Sequence, residues 1–165
     1  MPILLAAALL LAGVQTPDIH YVPTPTEVVD AMLTLAKVTS SDIVYDLGSG
    51  DGRIPITAAQ KYGARGVGIE LDKKLVDLAK ENARKAGVSN RVTFRQADLF
   101  RTTFSEATVV TLFLSPSVNL RLQSKLLREL KPGTRVVSHQ FPIGDWMPLS
   151  EQDVAGRKVY FWIVP

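Results

Sequence analysis

Three carboxylates, Asp46, Glu70 and Asp98, each end a run of strand-forming residues, and the first opens onto a turn carrying Gly48, Gly50 and Gly52. Ile43, Val44 and Tyr45 suit a central strand, the glycines permit a sharp turn and close approach of a ligand, and a helix follows from Arg53. Pro55 fits only the first turn of that helix, where its missing N–H would have no partner. A phosphate-gripping loop would need Lys-Ser/Thr after its last glycine, and none stands here. A dinucleotide turn would place its third glycine where this chain has Arg53. With Asp46 at the strand end and Asp51 in the turn, two negative charges favour a cationic ligand over a pyrophosphate. Taken singly, Asp46 could cap a turn, Glu70 could sit in a surface ion pair and Asp98 could start a turn. Their common position at carboxyl ends of successive strands points to one ligand, because open α/β sheets bind there.

Asp46-Leu47-Gly48-Ser49-Gly50-Asp51-Gly52 resembles the first motif of the class I S-adenosylmethionine-dependent methyltransferases. The resemblance implies that the glycine turn passes the methionine part of S-adenosyl-L-methionine, that Glu70 holds the ribose hydroxyls and that Asp98 receives the adenine amino group. Glu70 stands 20 residues after Gly50, and a carboxylate can accept from two hydroxyls at once. By the same resemblance Ser49, Leu71, Leu99 and Leu114 line the cofactor, with Tyr21 and Thr24 over it.

A narrower likeness joins Tyr21-Val22-Pro23-Thr24-Pro25, Val28-Val29-Asp30, the glycine turn, Val136-Val137-Ser138-His139 and Asp145-Trp146. This set resembles the small lysine methyltransferases related to the mitochondrial enzymes that modify the ATP synthase c-subunit and the adenine nucleotide translocase. It departs from them at Phe113, where a Tyr is expected. The likeness implies a methyltransferase acting on a protein lysine. A small-molecule or RNA methyltransferase, or a cofactor-binding module without catalysis, stands as the alternative. Candidates for the acceptor side are Tyr21, Phe113, Ser115, Ser138, His139 and Trp146; of these Tyr21, Ser115 and His139 are the catalytic candidates, without a general base being assigned. An Asn/Asp-Pro-Pro-aromatic motif, used by many amino-group methylases after the fourth strand, is absent.

The elements that must hold these residues follow from periodicity. Thr24, Pro25 and Glu27 read as a capping box before a helix burying Val28, Val29, Met32, Leu33 and Ala36. A second strong helix runs from Lys73 to Ala86, with Leu75, Val76, Leu78, Ala79 and Ala83 inward and Gly87 as its stop. Strands are expected at Gly66 to Glu70, Val92 to Asp98, Ala107 to Leu114 and Thr134 to Gln140, with a helix from Asn119 to Leu130. A final strand from Arg157 to Val164 pairs antiparallel with a shorter one near Leu149 to Val154. The alternation predicts an α/β fold, a doubly wound, mostly parallel, seven-stranded Rossmann-like sheet whose last strand is antiparallel.

Composition sets the outer bounds. A chain of 165 residues suits one domain with a real core, here residues 18–165. The absence of cysteine excludes thiolate metal sites and disulfides, and two histidines, His20 and His139, give no metal centre. A net charge of +3 permits an anionic partner without demanding one; a protein substrate is the expected partner and nucleic acid is not. Residues 1–17 are apolar, and Ile3 to Val14 is shorter than the roughly 20 residues a spanning helix needs. The stretch lacks the basic start of a secretion signal and a clean Ala-x-Ala site, which leaves that reading open. An apolar arm packed on the domain or on a partner, and a membrane attachment, are the two others. Since S-adenosylmethionine is made inside cells, a cytoplasmic protein is the expectation, with the arm and the membrane attachment as equal readings of this stretch.

Overall fold

The structure, a computed structural model, describes residues 21–165. The apolar stretch 1–17 and His20 lie outside them. Eleven elements follow in chain order: α1 (Thr26–Leu35), β1 (Ile43–Leu47), α2 (Arg53–Tyr62), β2 (Arg65–Glu70), α3 (Lys73–Lys85), β3 (Val92–Gln96), β4 (Val109–Leu112), α4 (Pro116–Glu129), β5 (Arg135–His139), β6 (Ser150–Val154) and β7 (Arg157–Ile163). The strands form one sheet in the order β3-β2-β1-β4-β5-β7-β6. Strands β1 to β5 pair in parallel, and β7 runs antiparallel to both β5 and β6. This is the doubly wound sheet that the alternation of patterns predicts.

Side chains along a strand alternate between faces, and the core divides accordingly. Val44, Val109, Val137 and Val159 pack with Val28, Met32 and Leu33 of α1 and Ile54 and Ala58 of α2. Tyr45, Leu47, Val110, Leu112, Val136 and Trp162 meet Phe104 and the Leu122 and Leu126 positions of α4. Helix α3 closes the β2-β3 end of the first face through Val76, Ala79 and Ala83 against Ile56, Ala59 and Phe94. On this alternation Asp46 and His139 point to the face carrying α1 and α2, whereas Ser138 points to the face carrying α4.

Several boundaries differ from the sequence expectation, each for a local reason. Helix α1 is capped by Pro25 and makes no side-chain cap bond, so the Thr24 capping box is overturned: the Thr24 hydroxyl goes to His139 instead. Helix α4 begins at Pro116 rather than Asn119, because Ser115 supplies the cap by accepting from Val118 N at 3.3 Å and proline is tolerated in a first turn. Leu78 is exposed rather than inward; three small or β-branched residues suffice to seat α3 on the sheet. Strand β4 keeps only Val109 to Leu112 in the ladder, with both faces buried.

Candidate active site

The sheet's carboxyl edge gathers the loops after β1, β2, β4 and β5. In the glycine turn, Gly48 N and Ser49 N donate to Ile69 O at 2.8 and 3.0 Å, which moors the turn to β2. Gly48 has φ +80° and a Cβ there would stand 2.7 Å from Leu114 Cδ2. Gly50 has φ +53° and a Cβ there would collide with the Tyr21 ring. Leu114 and Tyr21 are therefore the two walls against which the turn is set, and no larger residue fits between.

Glu70 closes the turn from the other side. Its Oε2 accepts from Gly50 N at 2.9 Å, and its Oε1 accepts from Leu71 N and Asp72 N at 2.8 and 3.0 Å. A carboxylate offers about four acceptor positions, so three bonds leave capacity for a ligand hydroxyl. Asp46 is buried, with Thr111 Oγ1 donating to its Oδ1 at 2.7 Å. Burial raises its pKa to about 7; the Thr111 bond pulls downward, while the charges of Glu70 and Asp51 add to the rise. Asp51 departs from the ligand-facing role given to it by its position. Arg53 Nη2 and Nε hold its two oxygens at 2.7 and 3.0 Å, and although burial opposes the charge, Arg53 keeps this carboxyl below its ordinary range. Asp98 lies past the end of β3, where its Oδ1 accepts from Phe100 N at 2.9 Å in a turn. Among the described residues its Oδ2 accepts no bond.

On the acceptor side, His139 is fully buried at the end of β5, and its ring lies on Phe113 with centroids 3.9 Å apart. Thr24 Oγ1 pairs with its Nδ1 at 3.2 Å, while Nε2 has no partner among the described residues. Burial, with the Arg157 charge adding, lowers the imidazole pKa to about 4, so the ring is neutral at pH 7. Tyr21 is joined to the turn through Asp51 N, which donates to its hydroxyl at 3.4 Å. Thr24, Phe113 and His139 thus form one wall, and Tyr21 lies against the glycine turn. Ser115 is exposed, its hydroxyl engaged in the α4 cap beside Ser117. Leu99 is half-buried against the α4 core, Leu71 is exposed beside Glu70, and Ser138 donates to Phe141 O at 2.6 Å. Trp146 packs on Trp162 and accepts its indole N–H at 2.9 Å through the main chain.

Sequence reasoning did not single out Thr111, Arg53 or Asn119. Asn119 is fully buried, and its amide donates to Phe141 O and Pro142 O at 3.2 and 3.1 Å, fixing the loop after β5. Its signal was a polar residue on the stripe shared with Leu122 and Leu126; that of Thr111 was a hydroxyl in an otherwise apolar strand. Asn119→Ala takes the Asn119 donor from Pro142 O, whereas Phe141 O keeps its bond from Ser138 Oγ, and one unsatisfied carbonyl costs about 1–3 kcal/mol. Urea unfolding is expected to show a loss of about 2 kcal/mol; an unchanged midpoint would mean that the loop holds itself.

The ANTKMT methyltransferase domain family matches residues 46–150. A protein-lysine N-methyltransferase of Saccharolobus islandicus is 46% identical over 153 residues, which cover 90% of this chain and 95% of that protein. The adenine nucleotide translocase lysine N-methyltransferase of Mus musculus is 40% identical over 81% of this chain, and the match spans only 58% of that longer protein. Among solved structures, an RNA methyltransferase from Salinibacter ruber in complex with S-adenosyl-L-homocysteine is 58% identical with a TM-score of 0.86, over 87% of this chain and 94% of that one. The matched stretch runs from the acid that ends β1 to the first residue of β6 and so contains the whole carboxyl edge except the Tyr21–Pro25 strap; the chain belongs to the ANTKMT methyltransferase domain family, and it is a methyltransferase.

Proposed function

We propose that this chain transfers a methyl group from S-adenosyl-L-methionine to the side-chain amine of a protein lysine. The observation that carries the acceptor class is His139 Nε2, buried beside Phe113 and without a partner among the described residues; in the tautomer with the proton on Nδ1 it is an acceptor. An amine is a donor it fits. The cofactor fit rests on residues with capacity to spare: Glu70 for a ribose hydroxyl, Asp98 Oδ2 for an amino group, the Ser49 hydroxyl in the turn, buried and without a partner among the described residues, and Asp46 for a positive charge. Gly48 and Gly50 give the main chain close approach, with Tyr21, Thr24, Leu71, Leu99 and Leu114 as lining, while Gly52, expected beside the ligand, instead lets the turn pack on Phe94 and Ala79.

The cofactor supplies a methyl on a sulfonium, which needs no activation beyond an aligned neutral nucleophile. Lysine is protonated in water, so its proton must leave before transfer. An imidazole held near pKa 4 is too weak a base to keep that proton at pH 7. The proton goes to solvent as the amine enters a poorly hydrated wall that disfavours the ammonium. His139 then orients the amine: in the tautomer whose Nδ1–H donates to Thr24 Oγ1, Nε2 accepts from the incoming N–H. Ser115 is kept as a second polar group at the entrance.

RNA is the second reading, favoured by the 58% identity to the RNA methyltransferase from Salinibacter ruber. Against it, the segment after β4 reads Phe113-Leu114-Ser115-Pro116 and has no Asn/Asp-Pro-Pro-aromatic motif to hold a base amine. Tritiated S-adenosylmethionine supplied with separate protein and RNA extracts decides the matter. Label in protein that hydrolyses to methyl-lysine is expected; label in the RNA fraction alone would move the assignment to RNA.

Tyr21→Phe removes a hydroxyl that, among the described residues, accepts from Asp51 N, and keeps the ring on Gly50. Turnover is expected to fall about fivefold, one hydrogen bond's worth, with cofactor affinity nearly unchanged. Equal losses in steady-state rate and in calorimetric affinity would make Tyr21 a cofactor ligand instead.

On this reading the protein works in the cytoplasm, where its cofactor is made, and residues 1–17 are an arm or a membrane attachment, with a secretion signal as the alternative. Among the described residues no helix is long and apolar enough to cross a membrane.

A further inference from the structure

We propose that Arg53 is a positioning residue that clamps the Tyr21–Pro25 strap over the glycine turn and, through Thr24, sets the imidazole of His139. The inference rests on the reading of His139 as the residue that orients the acceptor. Arg53 opens α2 on the cofactor side of the site. Two of its nitrogens hold Asp51, and a third, Nη1, donates to the main-chain carbonyl of Thr24 at 2.9 Å. Thr24 is buried and turns its hydroxyl the other way, to His139 Nδ1 at 3.2 Å. A single residue of the strap therefore receives a bond from each half of the site. The chain of contacts Asp51, Arg53, Thr24, His139 joins the turn that passes the cofactor to the wall that would meet the acceptor.

The strap is built to transmit this restraint. Pro23 and Pro25 flank Thr24 and fix the backbone torsion on either side, so a shift of the Thr24 carbonyl carries its hydroxyl along. The guanidinium is the group that suits the task. It presents donors in a rigid plane, which lets one side chain grip a carboxylate with two nitrogens and a carbonyl with the remaining one. A lysine would neutralise Asp51 but lacks that planar fork. An ion pair between positions 51 and 53 alone, with the Arg53 side chain 35% exposed, would contribute little and would not require arginine.

The test uses the full chain with Arg53→Lys, Thr24→Val and the double variant. On the S-adenosylhomocysteine complex, the imidazole nitrogen resonances of His139, assigned with His139→Gln, are expected to shift in both single variants and to shift no further in the double. Methyl transfer into a protein extract is expected to fall about tenfold in each single variant and to fall no further when they are combined, the non-additivity of one shared pathway. Affinity of Arg53→Lys for S-adenosylhomocysteine is expected to stay within about threefold, since its charge still faces Asp51. Arg53→Lys with unaltered imidazole resonances, or losses that multiply in the double variant, would overturn the clamp and reduce Arg53 to a partner for Asp51. The resonances are read without any acceptor, so a failure of the clamp is distinct from a failure of the lysine reading, which would appear as absence of label in protein from the unmodified chain.

Discussion

Glu70→Ala is expected to weaken S-adenosylhomocysteine binding about a thousandfold while the chain remains folded. A hydrogen bond to a charged acceptor contributes about 1.5–3 kcal/mol, and on the proposed reading a ribose hydroxyl loses one. At about 1.4 kcal/mol per tenfold, that bond accounts for about one to two of the three orders of magnitude. The rest comes from the turn. Glu70 Oε2 is what Gly50 N donates to, and Oε1 holds the two main-chain N–H groups that lead into α3. Without them the glycine turn keeps its mooring to Ile69 O but loses its outer edge. Folding should survive, because β2 is paired on both sides and the Glu70 side chain lies outside the core. Glu70→Gln is expected to fall between, since its amide oxygen can still serve one N–H while its amide nitrogen must face others as donor to donor. Calorimetric titration with S-adenosylhomocysteine, beside a melting curve of each variant, checks this. Affinity within about threefold of the unmodified chain for Glu70→Ala would place the ribose elsewhere.

What was legible in the sequence, and what was not, follows from the range of the interactions involved. Strand and helix types were readable because Val44 to Leu47 or Val76 to Ala83 reveal their partners by period alone. The sheet's closing antiparallel strand was readable from the short β6-β7 turn at Ala155 and Gly156. Single side-chain bonds that compete with a local rule were not. Thr24 obeys the cap pattern in every local respect, yet a histidine 115 residues away takes its hydroxyl. Ser115-Pro116 looks like a loop and is a helix start, since a serine cap and a first-turn proline are also what begin helices. Asp51 read as a charge awaiting a cation, but the arginine two residues on already answers it. The three strand-end acids all reach the same edge, yet in different states: Glu70 braces the main chain, Asp98 opens a turn, and Asp46 alone is sealed off from water.

On the proposed reading that Asp46 faces the cofactor's positive charge, that sealing is expected to make it a proton switch for cofactor binding. A carboxyl whose pKa is raised to about 7 is largely neutral at pH 6, whereas a positive charge brought beside it favours the ionised form. Binding of S-adenosylmethionine should therefore expel a proton. If the complex requires ionised Asp46, apparent affinity falls about tenfold per pH unit below 7, close to a hundredfold between pH 8 and pH 5. The same shift has the opposite sense for the unliganded fold. Because its folded pKa lies above its unfolded value, Asp46 contributes stability that is fully present below about pH 4 and lost as pH rises through about 7. Cofactor and acid thus stabilise the site in different pH ranges. Titrations at pH 6 in buffers of different ionisation enthalpy should report nearly one proton released, falling to about a tenth at pH 8. His139, held near 4, stays neutral throughout this window and cannot mimic the effect. Asp46→Asn retains the bond from Thr111 through its amide oxygen but carries no proton to lose, so its binding should be weak and flat with pH. Should Asp46→Asn release as many protons as the unmodified chain, the linkage belongs to another group and the cation is not held here.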